Sequence, residues 1–167
     1  FFESDGERPG RGVRHFVDKM SATSSPIAHM LRSYPIKSHN VVAHVRKATI
    51  GAVTLENCHP FVRELWGQYW VFAHNGDLRN FMPALHGGFR PVGTTDSELA
   101  FCWLLQELGQ RYSEAPGVEE LSRAMSTLLP EIARHGTLNV LISNGQALWA
   151  HASTKLCHLT RQYPFPE

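Results

Sequence analysis

Short runs of apolar and β-branched residues predict strands in the first half of the chain. Phe1–Phe2 and Val13–Val17 flank a Gly- and Pro-rich stretch, which is typical of two strands joined by a turn. Val41–Arg46 predicts another strand from its β-branched content, followed by a loop over Gly51–His59.

A hairpin is predicted farther along, from Phe61–Leu65 and Gln68–His74 on either side of Trp66-Gly67. Asn75-Gly76-Asp77 follows it directly. Asn and Gly both tolerate positive φ, and the Asp can cap a helix. We therefore expect a strand-to-helix turn here that leads into a helix over Leu78–Leu85.

Two helix starts carry capping signals. Ser25 before Pro26 predicts a short helix through Leu31, because Ser caps the first turn and Pro is tolerated at the first helical position. Thr95–Glu98 matches the capping box, in which the Thr hydroxyl and the Glu carboxylate satisfy reciprocal backbone N–H groups. It predicts a helix over Leu99–Leu108, which is apolar on most faces and must be covered on two sides.

The last third of the chain predicts one more helix and a meander of strands. The helical pattern runs from Val118 to Ile132, with a kink at Pro130 and a stop at Gly136. The predicted strands are 137–143, 146–151 and 155–160. Hairpins followed by helices, without βαβ alternation, indicate an α+β fold with antiparallel sheets.

Length and composition indicate one globular domain over residues 1–167. The chain is 43% hydrophobic and 19% charged, with four tryptophans and a net charge of +1. No basic stripe indicates nucleic-acid binding, and no apolar run reaches the about 20 residues that span a bilayer. Neither nucleic acid nor a membrane is therefore an expected partner.

Cysteine and histidine spacing indicates neither a disulfide framework nor a metal site. Cys58, Cys102 and Cys157 are odd in number and form no CxxC pair, and the ten histidines form no HxxxH or HExxH arrangement. We expect no cofactor and a reducing, cytoplasmic compartment. The chain begins with Phe1 rather than methionine and stops at Glu167, so we expect it to be incomplete at both ends.

Three stretches carry residues suited to binding one small zwitterion. The Asn75 amide and the Gly76 N–H can converge on one oxygen as an oxyanion hole, although Asn-Gly is also a common plain turn. Arg46, with the Thr49 hydroxyl nearby in sequence, is suited to a carboxylate, whereas an isolated arginine is more often solvated. Asp96 can face an ammonium group or serve only as a helix cap. Together these groups fit a free α-amino acid with a reactive side-chain carbonyl, such as glutamine.

Four motifs in this order resemble the class II glutamine amidotransferases, most closely the stand-alone YafJ-type branch. The motifs are Ala43–Thr49, Glu56–Phe61, Ala73–Leu78 and Thr95–Glu98. The resemblance covers most of the chain. It implies an N-terminal-nucleophile hydrolase fold, a four-layer αββα sandwich with antiparallel sheets, within a single partial type-2 glutamine amidotransferase domain.

The resemblance implies a binding group for each part of the glutamine molecule. Arg46 and Thr49 would hold the α-carboxylate, and Asp96 with the Gly76 carbonyl would hold the ammonium group. Asn75 and the Gly76 N–H would bind the oxyanion.

The resemblance also implies that His59 shapes the pocket wall and that the nucleophile is an N-terminal cysteine. Its own α-amino group acts as the base, the thiolate attacks the side-chain amide, ammonia leaves, and water hydrolyses the thioester. Phe1 stands first here and no internal cysteine carries that free amine, so we expect the nucleophile to be absent and the chain as given to be inactive. An ammonia-accepting synthase is an implied partner.

Two other functions stay open. A γ-glutamyl amide or peptide hydrolase of the same fold would use the same amino-acid clamp, since only the leaving amine differs. A non-catalytic glutamine-binding or regulatory module would keep the pocket without the nucleophile.

Overall fold

A computed structural model of the protein describes residues 1–3, 11–45 and 52–162. The described residues form a four-stranded antiparallel sheet, with strands in chain order, beside helices, which confirms the predicted α+β class. The elements are α1 (Pro26–Ser33), a 3₁₀ turn (Leu55–Asn57), β1 (Phe61–Leu65), β2 (Gln68–Leu78), α2 (Asp96–Arg111), α3 (Val118–Ala133), β3 (Gly136–Ser143) and β4 (Leu148–Ala152).

The sheet is covered on both faces because apolar residues follow one another along β2. Trp70 and Phe72 are fully buried in the main core, which includes residues of α2 and α3. Val71 and Ala73 alternate with them and therefore lie on the opposite face, where they form a second cluster with Phe2. A sheet that is covered on both faces is consistent with an inner layer of the predicted sandwich.

Local capping and turn signals located several elements correctly. Ser25 caps α1, its hydroxyl accepting from the Ala28 N–H at 3.1 Å. The β1–β2 hairpin turns at Trp66 and Gly67, whose φ values of 60° and 73° both lie in the left-handed region. These predictions are confirmed because each depends only on residues close in sequence.

Helix α2 begins at the predicted cap, but its capping box is only half formed. The Thr95 hydroxyl accepts from the Glu98 N–H at 3.2 Å. The Glu98 carboxylate, instead of returning to Thr95, accepts from the N–H groups of Val92 and Gly93 and from Arg63. The Glu98 carboxylate therefore satisfies a partly buried guanidinium and two loop N–H groups in place of the cap N–H.

The predicted turn at Asn75–Asp77 and the helix over Leu78–Leu85 are wrong. Strand β2 continues through Leu78, with Asn75 opposite Asn139 and Leu78 opposite Gly136, and residues 79–94 form no helix. Pairing with β3 outweighs the local turn preference, since it supplies partners for the backbone groups of a whole strand.

Two predicted strands are not formed in the part of the chain that the structure describes. Residues 41–45 are irregular: Val42 is buried in the second cluster, but Val45 is 79% exposed. Residues 155–160 are also irregular and exposed throughout. β-branched content stabilises a strand only where a partner strand and a buried face exist, and among residues 1–3, 11–45 and 52–162 neither segment has both. At the N-terminus, the predicted strand pair is a single bridge between Phe2 and Val13.

Candidate active site

Asp96 links the first turn of α2 to the end of β2. Its Oδ2 accepts a hydrogen bond from the Leu78 N–H at 2.7 Å, and its Oδ1 accepts one from the Ser97 N–H at 2.8 Å. The residue is half-buried. Oδ1 also accepts from the Ser97 hydroxyl at 3.3 Å, whereas Oδ2 keeps a further lone pair, so Asp96 can accept a hydrogen bond from a ligand without giving up either backbone contact.

The N–H and C=O groups of Gly76 point to the edge of β2 that Asp96 contacts. In an antiparallel strand, alternate residues direct N–H and C=O to the same side. The Leu78 N–H meets Asp96, whereas the Arg79 N–H donates to His135 O beside β3. Gly76 therefore shares the Leu78 edge, and β1 pairs with that edge only as far as Phe72.

Gly76 itself has no room for a side chain. A Cβ built on it would lie 2.6 Å from His74 Nε2 and 2.7 Å from the Thr137 carbonyl carbon, closer than real Cβ contacts. Asn75 is exposed and, by strand alternation, lies on the face opposite His74 and Gly76. The Asn75 amide and the Gly76 N–H are thus adjacent exposed donors at the end of β2.

His74 holds this end of β2 to both neighbouring elements, a role that the sequence did not suggest. It is 2% exposed, with Nε2 3.0 Å from Thr137 O and Nδ1 2.8 Å from Ser97 Oγ. A carbonyl only accepts, so His74 Nε2 donates its proton to Thr137 O. Ser97 follows Asp96, so His74 fixes the start of α2 against β2.

His59 lines a cavity of about 420 Å³. Its ring stacks on His44, with centroids 4.4 Å apart, and lies 4.6 Å from Phe61. Asn75, Gly76 and Asp96 do not line that cavity. Asn75 and Gly76 therefore lie at the end of β2, Asp96 lies at the start of α2 beside it, and His59 lines the cavity next to His44.

Arg46 and Thr49 lie outside the described residues. Val45 and Val53, on either side of that stretch, both line the His59 cavity. Among the described residues no group of three or more His, Cys, Asp or Glu side chains could hold a metal ion. In the same part of the chain no helix is long and apolar enough to cross a membrane.

None of the three cysteines has the features of an N-terminal nucleophile. Cys102 is fully buried in α2, and burial raises the pKa of its thiol to about 11. Cys157 is exposed. Cys58 is half-buried, with its Sγ 3.3 Å from Thr54 O. Each lies within the chain and so lacks a free α-amino group.

Known proteins provide independent evidence on the family. A family model described as "Glutamine amidotransferases class-II" matches residues 1–167. The "Putative glutamine amidotransferase" of Haemophilus influenzae is 47% identical over 156 residues, covering 93% of this chain and 53% of that protein. The "Putative glutamine amidotransferase YafJ" of Escherichia coli K12 is 48% identical over 157 residues, covering 93% of this chain and 62% of that protein.

The fold is also shared with a solved structure. The 2.0 Å crystal structure of a "predicted glutamine amidotransferase from Pseudomonas aeruginosa PA01" superposes with a TM-score of 0.68 at 47% identity, covering 73% of this chain and 48% of that chain. This likeness supports the predicted α+β, N-terminal-nucleophile-like fold class. The chain spans 53% to 62% of the length of the two curated relatives. On the family match and these identities, the chain belongs to the class II glutamine amidotransferases.

Proposed function

We propose that the protein hydrolyses the side-chain amide of glutamine, releasing ammonia through a cysteine thioester. One observation carries the proposal: the Gly76 backbone is directed to the edge of β2 where Asp96 accepts the Leu78 N–H at 2.7 Å. A carboxylate, a carbonyl and an N–H donor thus lie along one strand edge. This set matches the ammonium group and the developing oxyanion of one substrate.

The roles follow from charge and hydrogen-bonding capacity. Asp96 and the Gly76 carbonyl accept hydrogen bonds from the α-ammonium group, since both groups are acceptors. Of the two, Asp96 carries the full negative charge that pairs with the ammonium cation. The Asn75 amide and the Gly76 N–H donate to the tetrahedral oxyanion. Arg46 and Thr49 hold the α-carboxylate, and His59 forms part of the pocket wall.

The nucleophile is left unassigned. Thioester formation requires a thiolate beside a base, and a buried thiol such as that of Cys102, with a pKa of about 11, is protonated at neutral pH. The residues of this chain therefore receive binding and oxyanion roles. We also propose that a synthase accepts the ammonia and that the protein works in a reducing, cytoplasmic compartment.

A kinetic comparison in the full-length protein tests the oxyanion role. Asn75→Ala should lower kcat for ammonia release by about 10²–10³-fold with a smaller change in KM, as expected for a lost oxyanion donor. The matched control is Asn40→Ala, which removes the same side chain where it donates to Gly145 O at 2.8 Å. An unchanged kcat in Asn75→Ala would remove Asn75 from the oxyanion hole.

A binding comparison tests the carboxylate role and separates the rival functions. Arg46→Ala should weaken glutamine binding by about 2–5 kcal/mol, the cost of truncating one partner of a charge-assisted pair. Unchanged affinity would remove Arg46 from the site.

Strong preference for γ-glutamyl peptides over glutamine would favour the γ-glutamyl hydrolase, and binding without turnover of either would favour the regulatory module.

A further inference from the structure

The side chain of Asn57 connects two loops that are distant in sequence. It is only 2% exposed. Its Oδ1 accepts from the Thr94 N–H at 2.9 Å, and its Nδ2 donates to Ala52 O at 3.2 Å. The amide orientation is fixed by its partners, because an N–H can only donate and a carbonyl can only accept.

The loop that Asn57 holds is also held from its other side by α2. The Glu98 carboxylate, 1% exposed, accepts from the Val92 N–H at 3.0 Å and from the Gly93 N–H at 2.7 Å. Three successive backbone donors, at positions 92, 93 and 94, are therefore satisfied by two buried side chains. A loop with three successive donors held by buried side chains has little freedom to shift at those positions.

Close packing between the two loops adds to this restraint. A Cβ on Gly93 would lie 2.9 Å from Glu56 O, and closer still to Asn57 Oδ1. The backbone at Gly93 thus passes directly over the 3₁₀ turn that ends at Asn57. Thr94 lies two residues before Asp96, and Ala52 is the first described residue after the stretch that contains Arg46 and Thr49.

We propose that Asn57 is a positioning residue that holds the Thr94–Asp96 segment against the loop at Ala52, so that Asp96 meets the ammonium group of the bound amino acid. The inference rests on the proposed function, because it assigns Asp96 to that ammonium group. Asn57 acts through Asp96 and does not touch the substrate. Its loss should therefore reduce recognition of the α-amino group more than binding of the rest of the molecule.

The test compares two ligands in the full-length protein: L-glutamine, and glutaramate, which is glutamine without its α-amino group. Wild type should bind L-glutamine about tenfold or more tightly than glutaramate, since only glutamine carries the cation that Asp96 pairs with. Asp96→Asn should bring the ratio of the two affinities close to one. Asn57→Ala should lower the ratio by about fivefold, through a misplaced Asp96.

Two further variants separate positioning from general destabilisation. Asn57→Asp keeps the side-chain volume and the acceptor for the Thr94 N–H, but it places an oxygen against Ala52 O. It should therefore lower the ratio of the glutamine and glutaramate affinities. This variant provides the test if Asn57→Ala does not fold. Asn40→Ala loses an equivalent amide-to-carbonyl bond at Gly145 and should lower the melting temperature while leaving the ratio unchanged.

The outcomes distinguish this inference from the proposed function. If wild type prefers glutamine and Asp96→Asn loses that preference, while folded Asn57→Asp retains it in full, the positioning role is overturned and the proposed function stands. If wild type does not prefer glutamine over glutaramate, the ammonium role of Asp96 fails, and the role of Asn57 fails with it.

Discussion

Replacing Gly76 by alanine places a methyl group against the backbone of the neighbouring strand. The new carbon would lie 2.7 Å from the Thr137 carbonyl carbon, and closer to its oxygen, whereas ordinary contact begins near 3.4 Å. Strands β2 and β3 must therefore separate by at least about 0.7 Å at this point. The same shift stretches the 3.0 Å contact between His74 Nε2 and Thr137 O.

The expected cost of Gly76→Ala combines two effects. Overpacking against backbone costs about 1–3 kcal/mol. A buried His74 donor that loses its acceptor costs about 1–3 kcal/mol more. We therefore expect the free energy of unfolding to fall by about 4 kcal/mol, with loss of glutamine binding because the same strand edge is displaced.

Urea denaturation of wild type, Gly76→Ala and Gly88→Ala measures this cost. Gly88 is exposed and a Cβ there meets nothing within 4 Å, so its variant should stay within about 0.5 kcal/mol of wild type. A loss below about 1 kcal/mol in Gly76→Ala would refute the close approach of β2 and β3 at this position.

Two further predictions concern buried groups. Glu98→Ala should lower the free energy of unfolding by about 2–4 kcal/mol, because it leaves Arg63 and two loop N–H groups without their acceptor. Glu3→Ala removes one partner of an exposed ion pair and should lower the free energy of unfolding by less than about 1 kcal/mol in the same denaturation assay. Cys157 should react with iodoacetamide at pH 8 well before Cys102, whose buried thiol has a pKa of about 11; equal rates in the folded protein would show that α2 opens or that Cys102 is not buried.

Features set by short-range chemistry were predictable from the sequence. The Ser25 and Thr95 caps, the Trp66-Gly67 hairpin and the apolar α2 all depend on residues within a few positions of one another. The caps satisfy helix N–H groups that no other local group reaches. The α+β class follows from the order of such elements.

Features set by distant partners were not predictable. The extension of β2 through Leu78 depends on β3, about 60 residues later in the chain, which overrides an Asn-Gly pair that favours a turn. The irregular segment at Val41–Val45 lacks such a partner among the described residues. Propensity alone does not tell these two cases apart.

The candidate site likewise contains residues that the sequence indicates and residues that it does not. The chemistry of the residue types alone indicates Asn75, Gly76 and Asp96 as candidates, independently of where the chain places them. Asn57 and His74 lie within two of the family motifs, but the sequence indicates no role for either, because a polar side chain is recognised as a structural anchor only when its burial and its distant partners are known.

In the proposed function, glutamine binds at the corner formed by β2 and the start of α2. Titration of the ¹⁵N-labelled full-length protein with L-glutamine, followed by backbone amide shifts, tests it most directly. Saturable shifts concentrated at Gly76, Leu78 and Ser97 are the predicted result. Shifts confined to another cavity, such as the one lined by Phe81 and Trp103, or no saturable shift, would contradict the claim.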